Sequence, residues 1–186
     1  RIYLPLILAL FMLATIPPAG AAVFVQCPPE GLDGTDADGD GYPDVVCRHI
    51  TGGDGFATMA DGRRMYMFSF GNADDHQPLD PSGPAVEQVF AAKTLQAQLP
   101  APLITLRQGQ ELYLTMTNVS MVLRADLFDT HSVHWHGFPN AAPIFDGLPE
   151  PSPTAKMAAS FTYYYKAAVP GTYFYHCHVE AAEHMQ

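Results

Sequence analysis

Two short runs concentrate the ligand chemistry of this chain. Tyr173-Phe174-Tyr175-His176-Cys177-His178, followed by His184, sets a thiol between two imidazoles at the end of an aromatic stretch. Upstream, His131-Ser132-Val133-His134-Trp135-His136-Gly137 supplies three more imidazoles. These groups are poor material for a hydrophobic core. Thiolate and imidazole are ligands that copper prefers, and histidine-rich sets also suit zinc. Together the two runs form one metal-binding constellation.

Strand geometry decides how the constellation divides. Side chains alternate faces along a strand. His134 and His136 are therefore expected on one face, and so are His176 and His178. Cys177 must point the other way. His131 shares the Cys177 face if the strand is already regular there, and the loop that follows can bring His184. Four imidazoles would lie on one side and a His₂Cys set on the other. The latter is the trigonal blue-copper arrangement, usually completed by a weak axial methionine. His49 and His76 stand alone and read as structural or solvent-exposed residues.

The rest of the chain supplies short strands. Met65–Phe70 is β-rich, and residues 72–84, with Pro78, Pro81 and Pro84, read as a loop. Val86–Gln98 is either a short helix or an irregular strand. Leu103–Arg107 and Glu111–Asn118 alternate on either side of a Gln108-Gly109-Gln110 turn and read as paired strands. Val133–Phe138, Phe161–Lys166 and Gly171–His178 complete the set. The aromatic run Tyr163-Tyr164-Tyr165 reads as strand and core. With no repeat and no long amphipathic helix, an all-β fold follows, an antiparallel β-sandwich or Greek-key barrel.

Length and composition set the limits. The 186 residues allow one ordinary domain with extensions, and 48% hydrophobic content suffices for a core. A net charge of −10 argues against a nucleic-acid partner. Only 9 Lys+Arg argue against a polybasic membrane-surface site. Residues 1–21 read as a secretory signal, with an apolar run from Ile2 to Ile16 and an Ala19-Gly20-Ala21 cleavage pattern. The run is shorter than the ~20 residues of a spanning helix, so the expected location is secreted or periplasmic rather than membrane. Opening on Arg1, the chain is expected to lack the leader's first residues. Export favours paired cysteines. Cys27 and Cys47 can pair, leaving Cys177 odd, and a metal accounts for it.

Residues 22–60 read as an extension. Within it Asp36, Asp38, Asp40 and Asp44 occupy positions 1, 3, 5 and 9 of a calcium loop, with Gly41 at position 6. Cys47 stands where that loop carries its bidentate glutamate, Pro43 is foreign to an EF-hand, and no helical pattern flanks the segment. A free-standing Asp-rich calcium loop is the better comparison, beside a plain solvated turn. A Cys27–Cys47 bridge closing it would add ~3 kcal/mol.

From Met65 to Gln186 the chain resembles a multicopper oxidase of the laccase type, built on cupredoxin domains, with residues 61–186 as one such domain. The family pattern H-x-x-H-x-H matches His131, His134 and His136. The H-C-H pattern with a further histidine matches His176, Cys177, His178 and His184. The resemblance makes His131, Cys177 and His184 type 1 copper ligands, His134 a type 2 ligand, and His136, His176 and His178 type 3 ligands. Phe145-Asp146-Gly147 resembles the segment whose aspartate helps deliver protons. The Cys177-to-His184 gap resembles the small two-domain oxidases. The family's axial methionine would fall at position 189, beyond Gln186; Met185 has the wrong spacing. The chain is thus expected either to be truncated there or to carry an incomplete site.

The resemblance also implies partners. The family's trinuclear cluster takes eight histidines, four from each of two domains, and this chain offers four. The others would come from a second domain, by this resemblance in a homotrimer with type 1 copper in the first domain. The implied activity passes single electrons from a phenol, metal ion or redox protein to O2, giving water. A copper nitrite reductase needs no paired H-x-H motifs. An electron-transfer cupredoxin would leave four aligned imidazoles unused. Both are alternatives.

Overall fold

The structure, a computed structural model, describes residues 25–76, 86–127, 129–138 and 142–180. The leader, most of the proline-rich loop, His184 and Met185 lie outside the described residues. Among those described, no helix is long and apolar enough to cross a membrane.

The main sheet holds four strands: β1 (Val45–Thr58), β2 (Arg64–Asn72), β3 (Glu111–Asn118) and β7 (Ser160–Lys166), in the order β2-β1-β3-β7. β1 runs parallel to β3, and the other two pairings are antiparallel. Two small ladders join them: β4 (Thr130–His131) with β6 (Ala155–Lys156), and β5 (His134–Trp135) with β8 (Tyr175–His176). The core gathers Ile50, Leu112, Leu114, Met116, Tyr163 and Tyr165 from the main sheet with Val133, Ala155, Cys177 and Val179 from the segments around the ladders.

β3 shows why its register is firm. Leu112, Leu114 and Met116 are fully buried on one face, each worth ~1.5–3 kcal/mol of removal from water. A one-residue slip would turn all three outward. The opposite face is buried and polar in its second half. There Thr115 meets Thr162 at 2.9 Å, and Thr117 meets Ser160 at 2.7 Å and His49 Nε2 at 2.8 Å. The helix α2 (Val86–Lys93) packs against β3 and buries Val89. His49 and His76 are structural: the His49 Nδ1–H donates to the His76 carbonyl, and His76 pairs with Asp75.

Several expectations change here. The span read as an extension contains β1, which lies between β2 and β3 at the middle of the sheet. Leu103–Arg107 forms no ladder; Pro100 and Pro102 remove donors just before it, and Leu103 is exposed. Val133–Phe138 and Gly171–His178 narrow to two-residue strands, prolonged by one bond from His136 N–H to the Phe174 carbonyl. Val86–Gln98 resolves as helix in its first part.

Ahead of β1 lies the short helix α1 (Pro29–Asp33), and a disulfide joins Cys27 to Cys47. The acidic loop is tied to the start of β3. Asp44 C=O accepts from Glu111 N–H, Pro43 C=O accepts from Gln110 Nε2, and Arg107 lies over the Tyr42 ring.

Candidate metal centre

The chain changes ladders between His131 and His134. His131 ends β4 on β6, whereas His134 opens β5 on β8. Regular alternation therefore does not run through both residues, yet His131 still faces the cysteine. Its Nδ1 lies 3.7 Å from Cys177 Sγ, and both residues are buried. Two donors on one ion at bonds of about 2.0–2.3 Å span a separation of this size, so the pair fits a copper. The donor set, a thiol with an imidazole, suits that ion.

The neighbours of Cys177 lie beside the other histidines. His134 pairs with His176 across β5 and β8, and His134, His136 and His176 can bring one nitrogen each within 4.8 Å of one another. His136 Nε2 lies 2.7 Å from His176 Nε2. The His178 ring packs on His134 at a centroid distance of 5.1 Å. Backbone carbonyls set two tautomers. His134 Nδ1–H donates to the Asp146 carbonyl at 2.6 Å, and His176 Nδ1–H to the Cys177 carbonyl at 2.8 Å. Each then keeps an Nε2 lone pair for a metal, the usual role of such outer contacts. Burial, together with the three neighbouring imidazoles, lowers the His176 pKa from its ordinary value, which favours the neutral, ligating form.

Asp146 can lie beside His134, with its Oδ1 3.5 Å from His134 Nδ1. Gly147 is the reason it can. A Cβ there would run into the Val133 carbonyl, and φ is +76°. Two buried tyrosines brace these segments from β7. Tyr163 Oη accepts from Val133 N–H at 3.0 Å, and Tyr165 O–H donates to the Phe145 carbonyl at 2.8 Å. Their period-2 spacing signals core, but their hydroxyl partners are legible only in three dimensions.

Asp129 is a site residue that sequence reasoning missed. Its Oδ1 lies 3.2 Å from His131 Nε2, so Nδ1 is the nitrogen turned to Cys177. Burial alone would lower the His131 pKa, but the Asp129 carboxylate and the Cys177 thiol outweigh it and hold it at about 9. Asn118 Nδ2 pins this segment by donating to the carbonyls of Asp129 and Ala155. The only sequence signal is an acid two residues before the first histidine of the motif. His184 lies outside the described residues.

In the acidic loop Asp36, Asp38 and Asp40 come within 4.8 Å of one another at the surface, the grouping expected of a calcium loop. Their carboxylates already accept N–H groups of Gly39, Asp40, Gly41 and Tyr42, and Asp44 accepts from Ala37. Solvated Asp turns make the same bonds.

A buried thiol–imidazole pair beside an imidazole cluster, on a mostly β framework, is a donor arrangement of the kind that copper takes. The sequence model of the multicopper oxidases matches residues 85–186, and the chain belongs to that family. It is 33% identical over 101 residues to multicopper oxidase MmcO of Mycobacterium tuberculosis, covering 54% of this chain and 18% of that protein. It is 34% identical over 103 residues to laccase abr2 of Aspergillus fumigatus, covering 54% and 16%. The chain thus spans less than a fifth of the length of these relatives. Among solved structures, the blue copper oxidase from Nitrosomonas europaea superposes with a TM-score of 0.50 at 24% identity, covering 75% of this chain and 35% of that one. A crystal structure of a multicopper oxidase gives 0.51 at 23%, covering 76% and 38%. These likenesses establish the cupredoxin-like fold.

Proposed function

We propose that the chain forms the type 1 copper domain of a laccase-like oxidase and contributes half of a trinuclear copper cluster. One observation carries the reading. Cys177 Sγ lies against His131 Nδ1, while the histidines on either side of it lie beside His134 and His136. Copper, when bound, supplies the one-electron chemistry by which a small reductant is oxidised and O2 becomes water. His131, Cys177 and His184 would hold type 1 copper, His134 the type 2 ion, and His136, His176 and His178 the type 3 pair. The covalent links from Cys177 to His176 and His178 give a through-bond path between the two ligand groups. Asp146, beside His134, would hold or pass a proton. The other four histidines would come from a second domain, in a trimer of two-domain chains of the secreted or periplasmic type. The reductant is a phenol, a metal ion or a redox protein.

Copper loading of the full chain tests this. The wild type should take copper with an intense blue band. Cys177→Ser should lose the band while keeping the other copper, and His134→Ala should keep the band while losing non-blue copper. A blue Cys177→Ser protein contradicts the reading. A single copper, with His134→Ala indistinguishable from wild type, would favour the electron-transfer cupredoxin instead.

A further inference from the structure

We propose that Gly52, on β1, is a positioning residue for the copper ligand His131: its missing side chain is the seat in which the imidazole lies. This rests on the type 1 reading of His131 and Cys177. Gly52 lies outside residues 85–186, the span that the family model matches, in a strand whose glycines give no motif signal.

Glycine weakens a strand unless something needs the space. The backbone does not need it here, since Gly52 is not among the positive-φ residues and pairs in register with Phe70 on β2 and Asn118 on β3. The space is what is used. A Cβ at Gly52 would come within 2.9 Å of His131 Cδ2, 3.0 Å of Cγ and 3.2 Å of Cβ. By alternation Gly52 shares the face of Ile50, which is buried in the core.

The ring cannot yield without moving a ligand atom. His131 is 3% exposed. Its Nε2 is stopped by Asp129 at 3.2 Å, and its Nδ1 faces Cys177 Sγ at 3.7 Å. Any side chain on Gly52 must therefore turn or slide the imidazole and change the nitrogen–sulfur separation. Type 1 copper reports such changes directly, because its spectrum and potential follow the geometry and surroundings of the thiolate.

Gly53 provides the control. A Cβ there would meet Val119 Cγ2 and the Ser120 carbonyl, both at 2.9 Å, and not the His131 ring. Gly52→Ala and Gly53→Ala crowd the same strand equally, but only the first crowds the ligand. In the copper-loaded full chain, Gly52→Ala should shift the blue band and the copper hyperfine splitting and weaken copper binding by roughly tenfold or more. Gly53→Ala should lower the melting temperature and leave the spectrum as in the wild type. If Gly52→Ala does not fold, Asp129→Ala frees the ring from the other side and should give the same class of spectral change. Wild-type spectra in both Gly52→Ala and Asp129→Ala, or equal spectral changes in the two glycine variants, would overturn the proposal. A wild type with no blue band would overturn the type 1 reading and this inference with it.

Discussion

At the scale of single residues, the site depends on which atom of each side chain is already engaged. His134 and His176 commit Nδ1 to carbonyls, and His131 commits Nε2 to Asp129. In His134 and His176 the opposite nitrogen keeps its lone pair, and in His131 it is Nδ1 that faces Cys177. Tyr163 shows how such placement is supported from outside the ligand set. Its hydroxyl is the buried partner of the Val133 N–H, one residue before His134. Tyr163→Phe keeps the ring packing but leaves that N–H unsatisfied, which costs about 1–3 kcal/mol. Urea unfolding should register the loss as a lower midpoint. An unchanged midpoint would mean that Val133 finds another acceptor.

At the scale of elements, motif and alternation go a long way. β2, β3 and β7 are readable because Phe68 and Phe70, Leu112, Leu114 and Met116, and Tyr163 and Tyr165 repeat at period two in the sequence and are all buried. β1 is not readable. Gly52, Gly53 and Gly55 depress strand propensity, and their value lies in close approaches to His131, Val119 and Ala97 that no local pattern encodes. The histidine and cysteine motifs are legible from spacing, whereas the change of ladder between His131 and His134 and the approach of Asp129 need the fold. β1 also carries a pH-sensitive joint. Burial drives the His49 pKa down to about 4, against the smaller opposing pull of the His76 carbonyl and Asp74. With an unfolded value near 6.5, the unfolded chain binds the extra proton first. The neutral His49 therefore stabilises fully above pH ~6.5, and this is lost as pH falls toward 4, up to about 3 kcal/mol. Denaturant melts of the copper-free chain should lose stability across that window, and His49→Gln should flatten the dependence. Parallel profiles would show that the loss arises elsewhere.

At the scale of the whole molecule, the two ligand groups meet the surface differently. The Cys177–His131 pair is buried. His136 is exposed and His134, His176 and His178 are half-buried. The disulfide and the acidic loop, tied to the Arg107–Glu111 turn, fasten the start of β1 to the strand beside it. The segment ahead of the family-matched region is thus part of the framework that seats His131.

The central claim is that one backbone segment sends its sulfur to one metal and its flanking imidazoles to others. X-ray absorption at the copper edge of the loaded full chain, compared between wild type and Cys177→Ser, measures it most directly. The wild type should show one short copper–sulfur distance among copper–nitrogen shells, and the variant should keep the nitrogen shells and lose the sulfur. Nitrogen and oxygen shells alone in the wild type, with Cys177 still open to thiol reagents after copper loading, would contradict the account.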